Sequence, residues 1–164
     1  MPDEVHRTEG HHGAEDYVTV SKGPLRERLG VRLHRSLYLR SGGRVGTRLL
    51  GAPLLVLFTV GKQSGARRAA VLVYIRDGED PIVAATNRGR DAEPLWLRNL
   101  LAQPQVQVQT GRTRTSAVAL VVEPDDDQFP LLWRRFDEQL RGWLDRYQQH
   151  TRRPIRLVRL SVYS

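Results

Sequence analysis

The chain has 164 residues, 40% of them hydrophobic, no cysteine, and a net charge of +8. That length suits one domain with a proper core, and the missing thiols exclude a disulfide framework and any thiolate metal site. The positive balance, mostly arginine, suits nucleic acid, a membrane surface or a polyanionic small molecule, and a plain solvated basic surface reads the same way.

Residues 1–20 read as a mobile tail. They are polar, carry His6, His11 and His12, and lack an apolar core of the signal-peptide kind. Residues 21–164 read as one folded domain that opens with a helix over residues 24–39. Leu25, Leu29, Leu33 and Leu37 recur there at helical spacing, flanked by Arg26, Arg28, Arg32, Arg35 and Arg40. Such a helix packs on the domain or lies on an anionic lipid surface, and packing is the expectation. Ser41-Gly42-Gly43 ends it. No apolar run reaches the roughly 18 residues of a membrane-spanning helix.

The period then changes. Residues 54–60 and 70–75 are apolar strands, Asp77-Gly78 marks a turn, and residues 82–86 pair back across it. Residues 105–109 alternate strictly, so one face is wet. Gly111 turns that strand into residues 115–122, and a last strand over 155–162 follows Pro154. Two helices interrupt the strands. The first covers residues 94–102, with Asp91 as its cap and Pro94 in its first turn. The second covers residues 125–149, where Phe129, Leu132, Trp133, Phe136, Leu140, Leu144 and Tyr147 fall at three- and four-residue steps. Asp125, Asp126 and Asp127 sit where the helix dipole favours carboxylates, and Gly142 weakens the middle. These elements are not alternating βαβ units. They predict a mainly β fold with inserted helices (α+β), a mostly antiparallel sheet curled into a barrel.

Three pieces could carry chemistry. Gly61-Lys62-Gln63-Ser64-Gly65-Ala66-Arg67-Arg68 joins two strands with two glycines, a hydroxyl and three cations. Freed backbone N–H groups in such a turn form an anion-binding concavity, although a plain basic hairpin reads the same way. The glycine spacing is not that of a Walker loop. Thr86-Asn87-Arg88-Gly89 follows a strand and again joins hydroxyl, amide, cation and glycine. Trp96 and Asn99 stand three residues apart on the next helix, near one face. No paired carboxylates suggest an acid and base, and His34 and His150 are isolated. The aromatics do not interleave with the arginines as a nucleic-acid platform would need.

The order of these pieces carries a resemblance. Thr59-Val60-Gly61-Lys62-Gln63-Ser64-Gly65 is followed by Tyr74-Ile75-Arg76-Asp77-Gly78, by Val83-Ala84-Ala85-Thr86-Asn87-Arg88-Gly89, by Pro94-Leu95-Trp96-Leu97-Arg98-Asn99-Leu100, and by Pro104-Gln105-Val106-Gln107-Val108. The series resembles the deazaflavin-dependent nitroreductase family, most closely over residues 50–109. The resemblance implies a split β-barrel of the FMN-binding-like superfamily and coenzyme F-420, an 8-hydroxy-5-deazaflavin, as cofactor, with FMN less favoured. It implies that Lys62, Gln63, Ser64 and Arg68 hold the cofactor's phosphate and tail, and that Thr86, Asn87, Arg88, Trp96 and Asn99 lie by or support the deazaflavin. Trp143 and Tyr147 are the nearest candidates for the substrate mouth. Gln63 stands where the family usually has a second basic residue, and Val71 where it usually has proline.

The implied activity is hydride transfer from reduced deazaflavin to a small electron-poor acceptor: a quinone, nitroaromatic or enone. No catalytic side chain is expected, because the cofactor carries the redox chemistry. The alternative is a non-redox binding module of the same fold, holding a lipid or specialised metabolite. The expected partner is a small molecule and not nucleic acid. Peripheral membrane contact through the basic N-terminal helix stays open, as does a homodimer. The expected location is the cytoplasm, with membrane association open.

Overall fold

The computed structural model describes residues 48–49 and 51–163. The expected tail over residues 1–20 and the expected helix over residues 24–39 lie outside the described residues. Seven strands are described: β1 (Arg48–Leu49), β2 (Ala52–Val60), β3 (Arg67–Asp77), β4 (Asp80–Ala84), β5 (Gln105–Thr110), β6 (Thr113–Val122) and β7 (Leu157–Tyr163). Three α-helices accompany them: α1 (Leu95–Ala102), α2 (Phe129–Gln139) and α3 (Trp143–Gln149).

All strand pairs are antiparallel, in the order β2, β3, β4, β7, β6, β5, and β5 returns to β2 to close a six-stranded barrel. Closure removes the free edges that an open sheet would expose. The alternation along β2 shows how the sequence writes this. Leu55 and Leu57 point into the barrel with Val83, Val106 and Val158, whereas Val56 and Phe58 join Ala69 on the outer face. The run is continuously apolar because both faces of β2 are buried.

The antiparallel order places the β2–β3 loop, the end of β4 and the start of β5 at one mouth, and the β3–β4 and β5–β6 turns at the other. Helix α1 stops the first mouth with the buried Leu97 and Leu100. Helices α2 and α3 cover the outer face of β3, β4 and β7, where Leu132, Phe136 and Leu144 meet Ile75, Ile82 and Leu157.

Three expectations are corrected. The helix expected over residues 125–149 is two helices, broken where Arg141 and Gly142 take left-handed φ values of 55° and 80°. Asp137 spans the break: its Oδ1 accepts the N–H groups of Leu144 at 2.9 Å and Asp145 at 3.1 Å, which serves the start of α3. Asp125, Asp126 and Asp127 precede α2 and do not form its first turn, although Asp126 Oδ1 accepts the Gln128 N–H at 2.9 Å. Asp91 does not cap α1. Pro94 holds the capping position without a side-chain bond, and the Asp91 carboxylate turns to Thr151 and to the N–H of Arg152.

Candidate functional site

The β2–β3 loop is drawn tight by its own backbone. Gly61 N–H donates to Ala66 O and Gly65 N–H to Gly61 O, both at 2.8 Å. The two glycines ease the turn in different ways. A Cβ on Gly61 would lie 2.7 Å from Ser64 Oγ, and Gly65 has φ +64°. Ser64 Oγ accepts from Ala66 N–H at 3.3 Å and Arg68 Nη2 at 3.4 Å. Lys62, Gln63 and Ser64 are exposed at the tip. β3 begins at Arg67, so Arg67 and Arg68 leave the strand on opposite sides, and only Arg68 reaches the serine.

Asn99 ties this loop to α1. It is 8% exposed, its Oδ1 accepts the Lys62 N–H at 3.1 Å, and its Nδ2 donates to Thr59 Oγ1 at 3.2 Å. Both ends of the amide are therefore spent inside the chain, one on the loop and one on the last inward position of β2. Trp96, one turn earlier on α1, packs half-buried against the barrel core.

The second piece follows β4. Asn87, Arg88 and Gly89 have φ values of 42°, 57° and 72°, three left-handed residues in a row. A left-handed residue other than glycine costs roughly 1–2 kcal/mol. The turn is closed by Gly89 N–H to Thr86 O at 2.9 Å and Arg90 N–H to Asn87 O at 3.2 Å. Asn87 Nδ2 donates to Ala92 O at 2.6 Å. Gly89 is pressed against α3, since a Cβ there would lie 3.0 Å from Tyr147 O and 3.1 Å from His150 Cβ.

This contact brings Tyr147 beside the turn. Trp143 stands one helical turn away, its ring centroid 5.9 Å from that of Tyr147, with Arg146 stacked 5.1 Å over it. Trp143 is 44% exposed. The structure thus forms two groups at one mouth. Lys62, Ser64, Arg68 and Asn99 make one, and Thr86 to Gly89 with Tyr147 make the other, with α1 following the turn in sequence. Gln63 makes no hydrogen bond among the described residues.

Residues at the chain's C-terminal end also reach this mouth, and sequence reasoning missed them. Arg153 donates to two carbonyls of the turn region, Thr86 O at 2.9 Å and Arg90 O at 3.1 Å. Burial lowers its pKa from the usual guanidinium value. The Asp91 carboxylate is held below its usual range by the Arg152 N–H and then by the Thr151 hydroxyl. Arg156 pairs with Glu93 and Glu123 just behind. Only the Thr-Arg-Arg-Pro composition before the last strand could have hinted at this.

The electrostatics suit an anion. The chain carries no acidic residue between Glu27 and Asp77, so nothing near the loop in sequence offsets Lys62, Arg67 and Arg68. A glycine-bounded turn with a hydroxyl already paired to a guanidinium fits a phosphate oxygen. A cavity of about 480 Å³ lies at the other mouth, lined by Arg76, Val108, Thr110, Thr115 and Val162. A smaller one of about 270 Å³ runs on the outer face beside the loop, along Phe58, Val60, Arg67, Gln105 and Gln107. The site is placed by chemistry and not by cavity size. Among the described residues no three His, Cys, Asp or Glu side chains could hold a metal ion.

The six-stranded antiparallel barrel, with a glycine-bounded basic loop at one mouth, is a split barrel. The sequence pattern of the family described as F420H(2)-dependent quinone reductase matches residues 30–161, and the chain belongs to that family. An F420H(2)-dependent quinone reductase of Mycobacterium tuberculosis is 36% identical over 132 residues, spanning 80% of this chain and 89% of that protein. Two solved structures share the fold. One, described as a domain-swapped dimer, has a TM-score of 0.62 and 24% identity, covering 82% of this chain and 99% of its own. The other, an F420-H2 dependent reductase, has a TM-score of 0.59 and 24% identity, covering 66% of this chain and 94% of its own. The chain is an F-420-dependent reductase, and the residues at the loop fit the cofactor's anionic tail.

Proposed function

We infer that this reductase delivers the hydride of reduced F-420 to a quinone, and that the two groups at the α1 mouth divide the labour. Lys62, Ser64 and Arg68, with the exposed amide of Gln63, would hold the phosphate and tail. Thr86, Asn87, Arg88 and Trp96 would border the deazaflavin, Asn99 would fix the loop from behind, and Trp143 with Tyr147 would flank the acceptor. The bound deazaflavin supplies the hydride, from C5. The chain's residues bind and orient, and water would supply the proton that completes the reduced quinone, so none of them need do so. The observation that carries this reading is the Ser64 hydroxyl aligned with Arg68 in a loop clamped to α1 by Asn99. The family match favours the reductase over the non-redox binding module.

A direct test titrates the protein with oxidised F-420 and follows cofactor fluorescence, then mixes reduced F-420 with a menaquinone analogue and follows reoxidation. Saturable quenching and quinone-dependent reoxidation are expected. Arg68→Ala should weaken F-420 binding about tenfold or more, the worth of one charged hydrogen bond. A protein that leaves F-420 fluorescence unchanged overturns the reading.

A homodimer accompanies this reading as a proposal, supported by the neighbour described as a domain-swapped dimer. Sedimentation equilibrium decides it. A cytoplasmic location is also proposed, and the absence of cysteine agrees with a reducing compartment. Among the described residues no helix is long and apolar enough to cross a membrane. Contact of the basic N-terminal segment with a lipid surface remains a proposal, read by co-sedimentation with anionic vesicles.

A further inference from the structure

The run of left-handed residues at Asn87, Arg88 and Gly89 needs an explanation, because two of the three carry side chains. L-residues visit this conformation singly and not as consecutive turns. Such a run persists only where its surroundings over-determine it. Its own hydrogen bonds, from Gly89 to Thr86 and from Arg90 to Asn87, close the turn but do not select its hand.

The selection comes from the other end of the chain. Arg153 Nη2 donates to Thr86 O at 2.9 Å, and its Nε donates to Arg90 O at 3.1 Å. These two carbonyls bracket the left-handed residues. One planar fork therefore fixes the distance and direction between the two ends of the turn, which a lysine cannot do with a single ammonium. The segment that carries Arg153 is anchored at the same place. Thr151 Oγ1 donates to Arg90 O at 3.3 Å and to Asp91 Oδ1 at 3.1 Å, and Asp91 Oδ1 accepts the Arg152 N–H at 2.9 Å. Arg153 is partly buried and points at backbone, so it is spent on the turn and not on a ligand.

We propose that Arg153 is a positioning residue that holds the turn at residues 86–90 in its left-handed form, so that Thr86, Asn87 and Arg88 face the deazaflavin. The clamp stands on the hydrogen bonds alone, while its purpose rests on the cofactor reading above. Arg153 touches neither cofactor nor acceptor. Its removal therefore acts on cofactor binding and leaves the chemical step in place.

The test is made on the full chain with Arg153→Met and Arg153→Lys. Amide hydrogen exchange reads the clamp without any cofactor. In Arg153→Met the Gly89 and Arg90 amides should exchange about tenfold faster or more, the worth of one charged hydrogen bond as an equilibrium constant. The barrel amides of Val83 and Val158 should keep their rates. The KM for reduced F-420 should rise by a similar factor, with kcat for a menaquinone analogue within about twofold. Arg153→Lys should recover part of both effects.

A third comparison separates this role from general support of the fold. Asn87→Gly takes the left-handed conformation without steric cost, so in that background Arg153→Met should raise KM by a smaller factor than in its own parent. Unchanged exchange at Gly89 and Arg90 overturns the clamp. So does faster exchange across the whole barrel, or an equal KM effect in both backgrounds. A wild-type protein that binds no F-420 overturns the purpose assigned to the turn, while the exchange result still decides the clamp.

Discussion

At the scale of single residues, Asn99 spends both ends of a buried amide on distant parts of the chain. It accepts from the loop at Lys62 and donates to Thr59 at the end of β2. Asn99→Leu keeps the volume but strands a backbone N–H and a buried hydroxyl, at a cost of about 1–3 kcal/mol. Asn99→Asp keeps an acceptor for Lys62 N–H and adds a negative charge beside the cationic loop. The leucine variant should therefore lower the melting temperature more, and the aspartate variant should weaken F-420 binding more for each degree lost. Paired thermal melts and cofactor titrations of both variants check this ordering. Equal ratios would show that the loop carries no electrostatic role. In the sequence, helical spacing set Asn99 beside Trp96, but its partners are distant in the chain, and no local pattern reveals a bond of that kind.

At the scale of elements, the left-handed glycines rank themselves. Gly142 separates α2 from α3 with φ +80° and nothing within 4 Å of a would-be Cβ. Gly142→Ala should cost about 1 kcal/mol, the backbone strain alone. Gly89 has φ +72° and also faces the Tyr147 carbonyl at 3.0 Å, a backbone atom that cannot rotate away. Gly89→Ala should cost about 2–3 kcal/mol, because strain and crowding add. It should also disturb F-420 binding, as Gly142→Ala should not. Denaturant midpoints and F-420 titrations of the two variants give the comparison. These elements also show what a sequence conveys. The strands were legible because alternation at β5 and double burial at β2 leave a direct trace in residue type. The apolar stripe from Phe129 to Tyr147 reads as one helix, because three- and four-residue steps continue across the break. Gly142 was the visible sign. The deciding feature, Asp137 serving the start of α3, depends on a geometry that periodicity does not encode. Thr86 and Gly89 mark the turn at residues 86–90 as a candidate in the sequence, but its bonds from Arg153 join positions 67 residues apart in the chain and leave no local trace.

At the scale of the whole molecule, the barrel has two ends with opposite demands. The α1 mouth carries the strained turn and the basic loop, and the β3–β4 turn at the far end is tied down by charge. Asp77 Oδ1 meets Arg135 Nη1 of α2 at 2.8 Å, and Asp77 Oδ2 meets Arg159 Nη2 of β7 at 2.7 Å. Arg159 also reaches Asp80 at 3.5 Å, and Asp80 Oδ1 accepts the Val162 N–H at 3.1 Å. One carboxylate thus joins β3, the covering helix and the last barrel strand. The hydrogen bond from Arg135, followed by that from Arg159, holds the Asp77 pKa below its usual value. A carboxylate whose folded-state pKa is depressed contributes stability that is fully present above its unfolded pKa, near about 4, and is lost as the pH falls through the lower folded value. The Asp77 side chain is 34% exposed, so solvent screens the pairs and the contribution at neutral pH is about 1 kcal/mol or less. The melting temperature of wild type should therefore exceed that of Asp77→Asn at pH 7, and the gap should narrow below about pH 4 as the wild-type carboxyl is protonated. Added salt should narrow it at pH 7 as well, since the partners are partly exposed. A gap that persists at acid pH would mean that Asp77 acts by shape and hydrogen bonding and not by charge. The F-420 affinity of Asp77→Asn should equal that of wild type at neutral pH, because the network lies at the far mouth and the loop proposed to hold the cofactor lies at the near one.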